Sequence, residues 1–148
     1  MRPSEKIKET LRKWEGCRLS AYVCPAGVLT VGYGHTGSDV RRGMVITHAE
    51  AELLFERDVE KFAAGLDRLL PDGLAQHQYD ALFSFAYNVG IGAFKDSTLL
   101  RKVRKNPSDR SIPDEFGRWV RGGGKVLPGL VTRRKHEASI YLNGYDKG

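Results

Sequence analysis

One long periodic segment constrains the fold of this chain more than any other feature. Thr47 followed by Glu50 has the spacing of a helix capping box, in which each side chain binds the backbone of the other residue. Behind it, apolar residues keep the period of an α-helix for about six turns, until the sequence Pro71-Asp72-Gly73 ends the pattern. We expect this helix, the longest in the chain, to connect two lobes.

The segments before and after the long helix differ in character. Before it, Ser4 can cap a first helix that ends near Gly16, and residues 19–40 combine strand-forming side chains with glycines, which predicts a small antiparallel hairpin region. After it we expect a strongly apolar helix, 76–88, in the middle of the core. Two short helices follow, one begun by Ser97 and one after Pro113, and then a glycine turn at 122–124 and a last helix carrying 133–142. Several helices with one early hairpin make an α+β fold.

Length and composition limit the class of protein. The 148 residues favour a single domain, 1–148, and 41% hydrophobic with 28% charged residues is the balance of an ordinary globular protein. No apolar run approaches the ~20 residues that span a bilayer. We therefore expect neither a signal peptide nor stable membrane insertion in this chain, and we expect a monomer.

The net charge of +6 favours a polyanionic partner, which could be nucleic acid, an anionic membrane surface or the acidic polymers of a cell wall. A basic run at 101–105 raises the nucleic-acid alternative. The basic residues are otherwise dispersed and no recognised binding module is present, so we expect no nucleic-acid partner.

A carboxylate, a thiol and a hydroxyl follow one another in the hairpin region. Glu15 ends the first helix, Cys24 lies in the first turn of the hairpin, and Thr30 lies on a strand. A helix end that faces a hairpin makes a cleft wall. Glu15 follows Trp14 and could be partly desolvated, which would let it deliver a proton near neutral pH. The alternative is an ordinary surface glutamate.

This segment resembles the catalytic region of the phage-type lysozymes, glycoside hydrolase family 24. The family pattern is Glu, eight residues, Asp or Cys, five residues, Thr, and Glu15, Cys24 and Thr30 occupy those places. Two later regions are similar to the family's core helix with the turn after it and to its closing segment: Gln78, 81–82, 86–90 and 97–100, and then Trp119, 124–125, 129–130, 133–134 and Glu137. The resemblance covers about residues 7–142.

The resemblance implies a lysozyme-like fold, with a small N-terminal hairpin lobe and a larger helical lobe, and an endolysin that lyses the host cell. Its reaction would be hydrolysis of the β-1,4 bond between N-acetylmuramic acid and N-acetylglucosamine in peptidoglycan. Glu15 would be the general acid, Cys24 would activate or position water or attack the anomeric carbon, and Thr30 would hold the water. Because a thiolate is the better nucleophile, the stereochemical outcome stays open. The alternative is a peptidoglycan-binding protein weakened in catalysis because Cys24 replaces Asp.

Supporting residues are implied in the same way. The family has an arginine of its closing segment beside the catalytic glutamate, which makes Arg133 or Arg134 the candidate here; either of them, or Arg18, could also lower the pKa of Cys24. The alternative for the pair is a solvated basic helix face. His35 is expected to pair with an acidic residue of the long helix, such as Asp67.

Cys17 raises the question of a disulfide. If hairpin curvature brings its Cα within ~7 Å of that of Cys24, a bond would remove the catalytic thiolate. Members of the family with similar Glu-Gly-Cys and Cys-Pro-Ala-Gly segments are held inactive by a disulfide until release into the periplasm, and they carry an N-terminal anchor with a further cysteine. The alternative is that Cys17 is a small buried hydrophobe. We expect synthesis in the host cytoplasm, and export by a holin or by an anchor absent from this chain.

The remaining polar residues of interest have structural interpretations. His48, His77 and His136 lack the spacing of metal ligands, so we expect no metal and no cofactor. Asn88 lies on an apolar helix and is expected to be a hydrogen-bonded core amide.

Overall fold

The computed structural model describes residues 1–145, and its elements follow the order expected from the sequence. The helices are α1 Glu5–Glu15, α2 His48–Asp67, α3 Gln76–Val89, α4 Ile91–Lys95, α5 Thr98–Lys105, α6 Ile112–Phe116 and α7 Pro128–Asn143. The strands are β1 Arg18–Val23, β2 Leu29–Gly32, β3 His35–Thr36, β4 Arg121–Gly122 and β5 Lys125–Val126. The α+β prediction is confirmed.

Local capping chemistry explains where three of the helices begin. Thr47 and Glu50 form the predicted capping box, with Thr47 N–H donating to Glu50 Oε1 at 2.9 Å and Glu50 N–H donating to Thr47 Oγ1 at 3.1 Å. Ser97 Oγ accepts from the Leu100 amide at 3.0 Å, and Ser4 Oγ accepts from the Ile7 amide at 3.4 Å. Each cap satisfies an amide that would otherwise lack a partner in the first turn.

The chain divides into two compact units. One comprises Lys8–Phe62, and the other comprises Met1–Ile7 together with the chain from Ala63 onward. The long helix α2 therefore contributes residues to both units, as does α1. No helix among residues 1–145 has both the length and the apolar character that a membrane span requires.

The unit Lys8–Phe62 is built on a three-stranded antiparallel sheet in the order β1-β2-β3. Tyr22 pairs with Thr30, and Thr30 pairs with Thr36, so β2 lies in the middle. The sheet and the segment after it enclose a small apolar cluster of buried side chains: Val31, Val40, Ile46 and Ala51.

The second unit is helical, and α3 supplies much of its core. Residues 79–86 of α3 are all buried, as expected for the apolar helix of the sequence. One buried carboxylate, Asp80, ties the N-terminal segment to this helix. It accepts hydrogen bonds from the Ser4 amide at 3.0 Å, Gln76 Nε2 at 2.9 Å and the Tyr145 hydroxyl at 2.7 Å.

Some local expectations need correction. A second hairpin, β4 with β5, stands where only a glycine turn was expected; Gly123 and Gly124, at φ 58° and 80°, form its tip. Asn88 is exposed rather than buried in the core, because it lies near the C-terminal end of α3; its Oδ1 accepts from Arg134 Nη2. The short helix α4 was not foreseen.

Candidate active site

Glu15 is positioned by the abrupt end of α1. Gly16 leaves the helix with φ 69°, and its amide donates to the Arg12 carbonyl at 2.9 Å. The half-buried carboxyl group then lies against the turn between β2 and β3. A Cβ built on Gly34 would fall 2.6 Å from Glu15 Oε1, closer than non-bonded atoms can approach. The carboxyl group therefore occupies the space that a side chain at position 34 would fill.

Cys24 lies at the tip of the β1–β2 hairpin, where the chain turns. Its amide donates to the Val28 carbonyl at 2.9 Å, and its carbonyl accepts from the Gly27 amide at 2.8 Å. The pKa of the Cys24 thiol lies below its usual value, chiefly because the backbone N–H of Val28, and then that of Ala26, donate to the sulfur; a slight desolvation opposes them. The turn thus favours the thiolate.

Thr30 lies in the central strand and is only 3% exposed. Its hydroxyl donates to the Val28 carbonyl at 2.9 Å. The same hydroxyl helps to lower the pKa of Cys24 when its single proton turns to the sulfur instead. Thr30 is therefore a direct neighbour of the Cys24 sulfur.

The unit Lys8–Phe62 contains all three predicted catalytic residues, and two of them are in contact. Glu15 packs against Gly34. Thr36, two residues after Gly34, pairs with Thr30. Two residues correspond to about 7 Å along a strand. The carboxyl group and the thiol–hydroxyl pair thus lie on neighbouring parts of one small sheet.

His35 forms the expected link to the long helix, but with a different acidic residue. Its Nδ1 lies 2.8 Å from Asp58 Oδ2, and its Nε2 lies 3.0 Å from Asp39 Oδ2. Asp67 was the wrong choice, because it follows Asp58 by nine residues, about 13 Å along a helix. Asp67 instead pairs with Arg2 at 2.9 Å.

Arg133 and Arg134 are not a solvated face, since both are buried in the helical unit. Arg133 Nε lies 3.2 Å from Glu137 Oε2, and Arg134 Nη1 lies 2.6 Å from Glu137 Oε1. Arg134 Nε also donates to the Trp119 carbonyl at 2.9 Å. The groups that lower the pKa of Cys24 in the structure, Val28, Ala26 and Thr30, belong to its own hairpin. The place of either arginine beside Glu15 stays a prediction.

Cys17 and Cys24, whose pairing the sequence left open, are both free in the structure. Cys17 precedes β1 and Cys24 follows it, so the six residues of that strand separate them. Cys17 instead packs, half-buried, against the small apolar cluster of its unit, in agreement with the alternative interpretation.

Sequence reasoning assigned no role to three residues that contact the predicted catalytic or supporting residues. Gly34 directly precedes His35, but nothing in the sequence shows that Glu15 would pack on it. Asp58 is one of several acidic residues on α2. Glu137 could have been found, because it lies four residues after Arg133 and three after Arg134, which puts all three on one helix face.

Among residues 1–145, no group of three or more histidine, cysteine or acidic side chains comes together in a way that could hold a metal ion.

A carboxyl group at a helix end, beside a thiol–hydroxyl pair on a small antiparallel sheet, defines this chain as a lysozyme-like α+β protein.

Comparison with known proteins gives the family. Residues 12–137 match the family described as phage lysozyme. The chain is 45% identical over 139 residues to an endolysin of Bacillus phage B103, which covers 93% of this chain and 52% of that protein. It is 40% identical over 146 residues to an endolysin of Acyrthosiphon pisum secondary endosymbiont phage 1, covering 95% and 98% of the two chains.

A solved structure agrees with the sequence relatives. The endolysin from Escherichia coli O157:H7 phage FAHEc1 superposes with a TM-score of 0.86 at 35% identity, over 98% of this chain and 96% of that one. The chain belongs to the phage lysozyme family. It spans about half the length of two endolysins from Bacillus phages that it matches, those of B103 and PZA.

The His35 ion pairs predict a pH-dependent stability. Burial of the ring lowers the pKa of His35, but hydrogen bonds to Asp58 and Asp39 outweigh it, so the pKa lies above its usual value. The stabilisation is therefore complete below about pH 6.5 and is lost as the pH rises through the raised pKa. At pH 6, His35→Asn should lower the free energy of unfolding by about 1 to 3 kcal/mol.

Thermal unfolding from pH 6 to 9 measures this effect. The melting temperature of the parent should fall towards that of His35→Asn as the pH rises. His48→Asn, at an exposed position of α2, serves as the matched control and should keep the pH dependence of the parent. A constant difference between parent and His35→Asn over this range would contradict the ion-pair interpretation.

Proposed function

We propose that this chain is the catalytic part of an endolysin that hydrolyses the β-1,4 bond between N-acetylmuramic acid and N-acetylglucosamine in bacterial peptidoglycan, so that the host cell lyses. The observation that carries the proposal is the packing of the Glu15 carboxyl group on Gly34, next to the Cys24–Thr30 pair on the same sheet. Membership of the phage lysozyme family and the endolysin relatives support it.

Glu15 is the general acid of this proposal. The glycosidic oxygen is a poor leaving group until it is protonated, so the Glu15 carboxyl group donates a proton to it as the bond to the anomeric carbon breaks. The leaving sugar takes that proton as its new hydroxyl, and positive charge develops at the anomeric carbon. Glu15 is left as a carboxylate.

Cys24 acts on the other side of the sugar. In one route the thiolate takes a proton from a water molecule whose oxygen bonds to the anomeric carbon, with the Thr30 hydroxyl holding that water; the thiol then returns the proton to Glu15 through solvent. In the other route the thiolate itself bonds to the anomeric carbon. The Glu15 carboxylate then takes a proton from a water molecule whose oxygen displaces the sulfur, which leaves as the thiolate and releases the sugar. The lowered pKa of Cys24 supports both routes, and it favours turnover over a binding-only protein.

Supporting roles go to residues that position others. His35 joins β3 to α2 through Asp58 and so fixes the strand next to Gly34. Arg133 and Arg134 both pair with the carboxylate of Glu137. To one of these arginines we assign the stabilisation of the Glu15 carboxylate after it has given up its proton, as the family resemblance implies.

The proposed setting follows from the same function. The chain acts as a monomer on peptidoglycan, without nucleic acid, in the periplasm. It is made in the host cytoplasm and reaches the wall through a holin or by means of an N-terminal anchor.

Mass spectrometry of the soluble fragments released from purified peptidoglycan tests this proposal. Hydrolysis leaves N-acetylmuramic acid with a reducing end, whereas a lytic transglycosylase leaves an anhydro end. Glu15→Gln should reduce the release of fragments by at least a hundredfold, because the amide has the shape of the acid but no acidic proton. Its melting temperature should stay close to that of the parent. Anhydro products, or more than a few per cent residual activity, would overturn the assignment of Glu15.

Gly34→Ala should separate activity from stability. The new methyl group must displace the Glu15 carboxyl group, and a misplacement of about 1 Å can cost a hundredfold in rate. The positive φ of 81° adds about 1 kcal/mol of backbone strain. Gly43→Ala is the matched control, because Gly43 has φ 76° and open space around it. Equal rates of peptidoglycan hydrolysis in the two variants would show that Gly34 does not position Glu15.

Cys24 offers a further test. Cys24→Asp should retain activity within about tenfold of the parent, because a carboxylate can present an anion to the same water, whereas Cys24→Ser should lose at least a hundredfold. Alkylation of the parent should inactivate it, and Cys17→Ser should leave the parental rate unchanged. Parental turnover in Cys24→Ser would make the thiol a bystander and leave catalysis to Glu15 with water held by Thr30.

A further inference from the structure

Helix α5 presents a strongly basic face that the catalytic proposal does not use. Arg101, Arg104 and Lys105 are exposed on one side of the helix. The opposite side of α5 is fully buried through Leu99, Leu100 and Val103. We call the three exposed cations the α5 basic face. The apolar side fixes the helix to its unit, so the basic face has a defined orientation.

The guanidinium groups of this face are held by neutral acceptors. Arg101 donates to the Asp96 carbonyl at 3.1 Å and to the Thr98 hydroxyl at 2.9 Å, and Arg104 Nε donates to the Leu69 carbonyl at 2.8 Å. These bonds orient the two side chains without cancelling their charge. The two long side chains are therefore already ordered before any ligand binds, which lowers the entropy cost of binding.

Neighbouring cations behave differently. Lys102, on the same helix, is neutralised by Glu115 at 2.7 Å. Arg12, in the other unit, pairs with Glu52 at 3.1 Å. Within residues 1–145, by contrast, no carboxylate forms an ion pair with any member of the α5 basic face. Asp109 feels the charge of Lys105 only through space, and its own hydrogen bonds are to Ser111.

We propose that the α5 basic face binds a phosphodiester-linked polyol polymer of the bacterial envelope and so holds the protein on the wall. Arg101 and Lys105 are one helical turn apart, about 6 Å along the axis, and Arg104 lies between them. A flexible chain of phosphates can contact all three cations in sequence. Arginine suits phosphate because its fork of N–H groups matches two phosphate oxygens.

The chemistry of the face favours this polymer over nucleic acid. Proteins that bind single strands add aromatic side chains on which bases stack, and α5 contains no aromatic residue. Cations near a helix C-terminus also stabilise the helix dipole, by about 0.3 to 1 kcal/mol each. Arg101 lies in the first turn of α5 and Arg104 in the last. Stabilisation of the dipole requires neither the hydrogen bonds that orient Arg101 nor the one that orients Arg104.

Binding to a synthetic poly(glycerol phosphate) oligomer tests the proposal without any hydrolysis, so its outcome is independent of the catalytic assignment. The test variant changes Arg101, Arg104 and Lys105 to Gln. The matched control changes Arg41, Arg42 and Arg57 to Gln; these cations are exposed in the other unit, and their loss changes the net charge equally. The affinity of each protein is measured by fluorescence anisotropy over a series of salt concentrations.

The parent should bind the oligomer, and the test variant should bind at least tenfold more weakly, while the control loses less than threefold. The slope of log affinity against log salt concentration should be shallower by about 2 in the test variant, because three phosphate contacts, each contributing ~0.7 to the slope, are removed. Equal losses in both variants would reduce the effect to net charge and overturn the proposal. Should the triple variant unfold, Lys105→Gln alone should weaken binding about threefold, and an unchanged affinity would overturn the proposal.

A single-stranded oligonucleotide with the same number of phosphates forms the second arm of the experiment. It should bind no more tightly than the polyol phosphate, because only the backbone charge is read. Binding more than tenfold tighter would assign the face to nucleic acid and overturn the proposed partner.

Discussion

The contact between the Glu15 carboxyl group and the backbone of Gly34 is the constraint on which the candidate site depends. It requires a helix that ends sharply at Gly16, a turn with a positive φ at Gly34, and no side chain at that turn. His35, the next residue, fixes the turn to α2 through Asp58. Backbone geometry thus determines where the carboxyl group lies.

The second half of the site depends on the backbone in a similar way. A thiol is mostly protonated at neutral pH unless its surroundings favour the anion. Here the amides of Val28 and Ala26 converge on Cys24 because the hairpin turns at that point, and the Thr30 hydroxyl lies beside the sulfur. A tight turn can therefore favour the thiolate through its own backbone amides. The two closing arginines contact Glu137.

Much of this architecture could be predicted from the sequence because the signals are local. The capping box at Thr47 and Glu50, the cap at Ser97 and the glycine after Glu15 act over three or four residues, and each works in the structure as expected. The order of carboxylate, thiol and hydroxyl is likewise a property of the chain itself. The long helix and the apolar α3 follow from periodicity, which tertiary packing reinforces.

Tertiary structure decided the pairings between distant residues, since spacing along the chain does not encode them. The sequence indicated that His35 would meet an acid on the long helix, but only packing selected Asp58 over Asp67. Folding placed strand β1 between Cys17 and Cys24 and left both thiols free. Arg133 and Arg134 are buried and pair with Glu137. The arginines of the α5 basic face donate to neutral backbone carbonyls and so keep their net charge. Sequence determines which groups are available, and the folded chain determines which of them meet, because only folding brings remote side chains within hydrogen-bonding distance.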